Sequence, residues 1–378
     1  MREIALGYMP LVDAAPLIVA AEFGFAEEEG LHLSLLRAAS WSMLRDMLDI
    51  GHVAAAQMLS VVPVARALGL GGGTELLETP MVLSLNGQVI GLSADLPDIG
   101  FGDPVATGAA LRGLGRKLRV GVPFPFSMQA ELLTYWTERA GGAAVEVRTI
   151  PPPRMAEAMR MGEIDGFCVG EPWGSHAVDT AGARLVLPGS AIWSQAPEKV
   201  LATRAGWAET EPELAGRLLR ALWRAGRWAG NAANRTTLAE VLSRAAYLDL
   251  PPDLIDRALS HRLLVTPLGP EAEVPQFQSF HDGLANFPWR SQAAWIGARL
   301  ASRFGLDRAE AMTSARAVFR SDLFRQHLAP IGAPLPRASD KVEGALLHDE
   351  TLPAVHGQLI LARNRFFDGA IFDPFPLA

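Results

Sequence analysis

From Ile4 to Val169 the chain alternates short apolar runs of strand length with longer amphipathic stretches. That alternation restricts the fold most, because parallel strands need a crossover element, usually a helix, between them. Ile4-Ala-Leu-Gly-Tyr8 predicts a strand, Asp13 to Glu29 a helical stretch and Leu31 to Leu36 a second strand, a βαβ opening. Ser40 is placed to cap a helix that begins at Trp41 and stops at Gly51, and Val53 to Ala56 predicts a short strand after it. Following a strand region at Met81 to Ile90, a Gly/Pro/Asp-containing stretch around residues 93 to 113 predicts a crossing into a second unit of the same pattern. There Lys117 to Val122 reads as a strand, Ser127 caps a helix ended by Gly141-Gly142, and Val145 to Ile150 is the next strand. Pro151-Pro-Pro153 imposes an extended turn, Met155 to Met161 a short helix, and Ile164 to Val169 a buried strand before Gly170-Glu-Pro-Trp173 opens another helix. Beyond about residue 209 the pattern is mostly helical, with Leu218, Leu219, Leu222, Trp223 and Trp228 on an amphipathic segment.

Two α/β units with a helical continuation fit the 378 residues, of which 49% are hydrophobic, and predict two lobes with a ligand cleft between them. Strand-to-helix turns aim unpaired helix N–H groups into such a cleft, which suits an anion. Three stand out: Ser40-Trp41, Ser127-Met128-Gln129 and Gly170-Glu171. The 41 acidic residues against 34 basic ones, net −7 with no basic block, argue against direct nucleic-acid binding but not against a small anion. No apolar run approaches the roughly 18 residues of a membrane span, so no membrane insertion is expected. The N-terminus enters a strand-like run directly, without a cationic segment and apolar core, and a cytoplasmic location is the expectation.

No catalytic constellation emerges, and neither an enzyme nor a cofactor is expected. The histidines (His32, His52, His176, His261, His281, His327, His348, His356) lack metal-ligand spacing, and no nucleophile elbow, phosphate loop or dinucleotide fingerprint occurs. Cys168, the single cysteine, lies in an apolar strand and reads as a small buried hydrophobe. Three strings could instead bind a ligand. Gly170-Glu-Pro-Trp173 places flexible backbone, a carboxylate and a ring at a strand end, or is a structural turn. Lys199, one of only three lysines, is a point charge for an anion or an exposed surface residue. Asn86-Gly-Gln88 offers the Gln88 amide as a donor, or is a hairpin turn.

Taken in order, Gly7-Tyr-Met-Pro-Leu-Val-Asp-Ala-Ala-Pro16, Ala39-Ser-Trp41, Leu85-Asn-Gly-Gln88, Tyr135-Trp136, Pro151-Pro-Pro153, Asp165-Gly-Phe-Cys-Val-Gly-Glu-Pro-Trp173, Pro197-Glu-Lys199 and Asn286-Phe-Pro-Trp289 resemble the nitrate/bicarbonate-binding proteins of ABC importers. Phe366-Phe-Asp-Gly and Phe372-Asp-Pro374 belong to the same likeness. The resemblance implies an α/β, two-lobed type II periplasmic-binding-protein-like fold with a mostly helical C-terminal extension. Lobe I would comprise 1–92 and 203–378, lobe II 93–202, with an inorganic oxyanion (nitrate or nitrite) held between them. It also implies that Trp41, Gln88, Gly170, Glu171 and Lys199 surround the ion. Lys199 and the helix-start amides would supply positive potential, Gln88 and Gln129 would donate hydrogen bonds, and Trp41 would wall the ion's plane. Gln129 stands where the family typically carries a histidine, which keeps a neutral donor and loses a titratable ring. Without an export signal, the likeness points to the family's cytoplasmic nitrate/nitrite sensor branch (NasS-type), whose partner is an RNA-binding antiterminator (NasT-type). The alternative expectation is the substrate-binding component of a nitrate, bicarbonate or sulfonate importer.

Overall fold

The computed structural model describes residues 1–141, 144–354 and 357–375; Gly142 and His356 lie outside them. Its two main sheets use β1 (Arg2–Tyr8), β2 (Leu31–Arg37), β3 (Ala55–Leu59), β4 (Leu77–Asn86), β5 (Gln88–Leu92), β6 (Leu118–Val122), β7 (Val145–Thr149), β8 (Gly166–Gly170), β9 (Arg184–Pro188) and β10 (Pro197–Arg204). The first sheet has the order Gln278–Ser279, β4, β10, β3, β1, β2; the second has β7, β6, β8, β5, β9. Parallel pairs β1–β2, β1–β3, β6–β7 and β6–β8 carry the two βαβ units, and each sheet is completed by antiparallel strands. This is the expected α/β architecture, two lobes each built on its own sheet.

The crossings between the sheets fall elsewhere than at 92/93 and 202/203. Met81 to Ile90 is not one strand: β4 ladders in the first sheet and β5 in the second, where it pairs antiparallel with β8 and β9. The break is Gly87, whose φ of +89° suits glycine and whose missing Cβ would lie 2.9 Å from Gln278 Cδ. Asn86-Gly-Gln88 is therefore a crossing between lobes and not a hairpin turn. The return crossing lies between β9 and β10, and the Asn86 amide ties the two together by donating to the Ser194 carbonyl at 2.8 Å. The glycine- and proline-rich stretch near residues 93 to 113 is a loop and the helix Pro104–Gly113.

Smaller departures have local causes. The helical stretch expected from Asp13 to Glu29 breaks at Gly24, with φ +79°, into Ala15–Glu22 and Phe25–Glu28. The strand expected at Val53 to Ala56 starts later, at Ala55. On the helix Pro212–Ala229, Leu218, Leu219 and Leu222 are fully buried, while Trp228, on a later turn, stacks on Phe23 at 4.3 Å between ring centroids. The segment near the C-terminus bridges to the second lobe: the Trp193 indole donates to Asn364 Oδ1 at 2.8 Å, and the Tyr135 hydroxyl to Asp368 Oδ1 at 3.0 Å. Among the described residues no helix is long and apolar enough to cross a membrane.

Candidate functional site

Two serine caps set the site. Ser40 Oγ accepts from Met43 N at 3.2 Å and fixes the start of the helix Trp41–Asp49, which buries Trp41 as its first residue. Ser127 Oγ accepts from Ala130 N at 3.2 Å, starting the helix Met128–Arg139 and burying Gln129 as its second residue. One helix belongs to each lobe, and both starts face the beginning of β10.

On β10, Lys199 is fully buried, and it is not the free point charge that the sequence led one to expect. Its Nζ lies 2.9 Å from Asp13 Oδ2, 2.6 Å from Glu198 Oε1 and 5.3 Å from the centre of the Trp41 ring. Gln129 Nε2 donates to the same Glu198 oxygen. The Gln57 amide donates to Asp13 Oδ1 and accepts from Met9 N at 2.9 Å. Burial works against the Lys199 charge, but the two carboxylates outweigh it and push its pKa up. Burial pushes Asp13 and Glu198 up as well, against the pull of the ammonium.

Gln88 sits on the second sheet between two glycines, opposite Gly170 on β8 and beside Gly189. A Cβ on Gly189 would fall 2.6 Å from Gln88 Cδ, and one on Gly170 would fall 3.8 Å from Asp13 Oδ2 and 3.9 Å from Gln129 Nε2. Gly189 thus lets the Gln88 side chain pack over it, and Gly170 lets Leu11, whose Cδ2 would lie 2.9 Å from such a Cβ, close in beside Asp13 and Gln129. Trp41 Nε1, both Gln88 amide atoms, Gln129 Oε1 and Glu198 Oε2 are buried without a partner among the described residues. Each such atom costs about 1–3 kcal/mol, so this concentration marks where a polar ligand would be stabilised. Beside Trp41, a cavity of about 120 Å³ runs between Ser40 and Ser42 of the first lobe and Pro123, Phe124, Thr149, Pro151 and Pro152 of the second.

The structure therefore brings Trp41, Gln129, Gly170 and Lys199 together, with Gln88 on the same face as Gly170. Glu171 differs. Its backbone carbonyl accepts from Val12 N at 3.0 Å, tying the lobes, but its carboxylate turns to its own helix and accepts from Ser175 N at 3.1 Å. Burial pushes its pKa up to about 7. The folded chain then keeps this proton over a range where an unfolded glutamate has released it. Stability from this group is present at acid pH and lost as pH rises to about 7, on the order of 3 kcal/mol in all. Glu171→Gln should remove that slope, measured by urea denaturation between about pH 5 and 8; an unchanged slope would refute the assignment. Sequence reasoning missed Asp13, Gln57 and Glu198, although Asp13 and Glu198 lie inside strings that carry the family likeness.

A family model described as NMT1-like matches residues 1–243, more than half of the chain. The chain belongs to the NMT1-like family. The chain is 31% identical over 350 residues to the nitrate import ATP-binding protein NrtC of Synechococcus elongatus, covering 90% of this chain. It spans about half of that relative's own length (52%). The nitrate/nitrite binding protein NrtA of Synechocystis is 28% identical over 388 residues, covering 98% of this chain and 82% of the relative. The crystal structure of the periplasmic nitrate-binding protein NrtA from Synechocystis superposes with a TM-score of 0.85 at 26% identity, covering 99% of this chain and 96% of that one. That match extends the fold of this NMT1-like chain well past residue 243, through its C-terminal part. The NrtA relatives are named as binding proteins, in keeping with a non-enzymatic chain.

Proposed function

We propose that the chain is an oxyanion-binding protein of the nitrate/bicarbonate type, the substrate-binding component of an importer, that takes its ligand between the two lobes. The observation that carries this reading is the meeting, in one buried cluster drawn from both lobes, of Lys199 with its two carboxylates, the Gln57 and Gln129 amides and the Trp41 indole, whose Nε1 lacks a partner, while Gln88 Nε2, on the strand paired with Gly170, lacks one too. Those two N–H groups are free to donate to an ion that offers only acceptors, while the Trp41 face is turned to the Lys199 ammonium. Lobe closure then removes the ion from water, which strengthens each charge-assisted bond. A ligand of about four heavy atoms at roughly 1.5 kcal/mol each gives about −6 kcal/mol, a Kd of tens of micromolar.

Calorimetric titration with nitrate, nitrite and bicarbonate tests this directly. At least one should bind in the micromolar range, and Gln88→Ala should weaken it about ten- to a hundredfold, the loss of a hydrogen bond to a charged partner. Failure of all three to bind would overturn the reading. A cytoplasmic nitrate/nitrite sensor that frees an RNA-binding antiterminator rests on the sequence resemblance alone, whereas the relatives named for import favour the transport role. A protein partner that co-purifies and is released by nitrate would reverse that order.

A further inference from the structure

We propose that Glu198 is a built-in competitor for the ligand, so that above the pH at which it titrates each nitrate enters the site together with one proton, taken up by Glu198. This rests on the oxyanion reading and adds to it a regulating residue and a proton.

The first ground is geometric. Lys199 Nζ and Gln129 Nε2 converge on a single oxygen, Glu198 Oε1. One of those donors comes from each lobe. A carboxylate is itself a planar oxyanion, so Glu198 occupies the donors and bridges the lobes as a bound planar anion would. Glu198 takes one N–H of each; Lys199 keeps one of its three and Gln129 Nε2 one of its two, so an anion that used them would lie against the Glu198 carboxylate unless that carboxylate were neutralised.

The second ground is a charge count. The cluster holds one ammonium and two carboxylates, Lys199 against Asp13 and Glu198, all fully buried or nearly so. An added anion would place three negative charges around one positive charge in a buried site that screens charge poorly, which a protein interior does not tolerate. Neutralising one carboxylate restores the balance that preceded binding.

The third ground identifies which carboxylate. Both Asp13 oxygens are engaged, Oδ1 by Gln57 and Oδ2 by Lys199. Glu198 Oε2 is buried and has no partner among the described residues. The proton, drawn from solvent, therefore adds to Oε2, and the resulting O–H becomes a donor to nitrate, which has acceptors only. The titratable groups that face Glu198 are Lys199 on its own strand, Asp13 after β1 and Cys168 on β8. The Cys168 thiol is pushed well up, first by burial and then by the Glu198 charge, and stays protonated. Glu198 is itself pushed up, so its proton exchange moves toward neutral pH.

The test is titration of the full chain with nitrate between about pH 6 and pH 9, with the alkaline point repeated in Bicine and in Tris, which both buffer there and whose ionisation enthalpies differ. About one proton should be taken up per nitrate at the alkaline end, with affinity falling about tenfold per pH unit there. Glu198→Gln, neutral and able to donate, should bind nitrate with a flat pH profile and at least about tenfold more tightly than the parent chain at about pH 9. Nitrate binding without proton uptake at about pH 9, or a slope that survives in Glu198→Gln, would overturn the proton linkage and leave the oxyanion reading intact. Absence of nitrate, nitrite and bicarbonate binding at every pH would overturn both. The buffer comparison uses the unmodified chain and so decides the matter even if the variant does not fold.

Discussion

Lys199→Ala is expected to cost about 3–5 kcal/mol of stability at neutral pH, as well as oxyanion binding, because it leaves two buried carboxylates facing each other without their cation. Asp13 Oδ2 and Glu198 Oε1 would both lose a partner now within 2.9 Å and 2.6 Å. The remaining hydrogen bonds, from Gln57 and Gln129, do not neutralise charge. Since protonation relieves the repulsion, the deficit should shrink at about pH 5, which urea denaturation at the two pH values would detect. A triple replacement, Lys199→Met with Asp13→Asn and Glu198→Gln, should recover most of the stability while still failing to hold an anion. A loss below about 1 kcal/mol for Lys199→Ala at neutral pH would mean that the cluster is not charged as described. Loss of binding in this variant must therefore be read together with its stability.

Phe366→Ala carries the second large effect, about 3–5 kcal/mol, the usual range for emptying a buried aromatic site. The Phe366 ring stacks on Trp193 at 4.9 Å and on Trp295 at 5.9 Å, and tilts against Tyr135 at 5.5 Å. Those three rings belong to the return crossing, the helix Arg290–Phe304 and the second lobe's helix Met128–Arg139, so one side chain joins three parts of the molecule. The same helix presents Gln129 to Glu198, and loosening it should weaken anion binding as well. Thermal unfolding together with nitrate titration would check both effects. A variant as stable as the parent would show that the segment near the C-terminus is only draped on the surface.

Much of the local structure was legible because it depends on short-range chemistry. Ser40 and Ser127 are read as helix caps from residue type and the apolar pattern that follows, and both caps form. Trp41 and Gln129 owe their places to those caps. The lobe crossings were not legible, because β4 and β5 are both apolar and nearly contiguous, and only their ladder partners separate them. Glycine at position 87 permits the separation, but Asn-Gly-Gln is equally the signature of a tight turn.

Alternation of apolar segments, capping residues and the ordered family strings determined, from the sequence alone, an α/β chain of two lobes, and they named Trp41, Gln129, Gly170 and Lys199, which the structure brings together. Only the tertiary structure decided the electrostatics of that cluster. Neighbours on a regular strand point to opposite faces, so Glu198 and Lys199 should not meet. The pairing of β10 with β4 shifts register between Pro197 and Lys199 and again between Lys199 and Val200, and at this irregularity the two side chains meet. Asp13 then arrives from the turn after β1 and Gln129 from the other lobe, more than fifty residues away in either case. Register and long-range closure are properties of the assembled sheets, and no periodicity within a single segment encodes them.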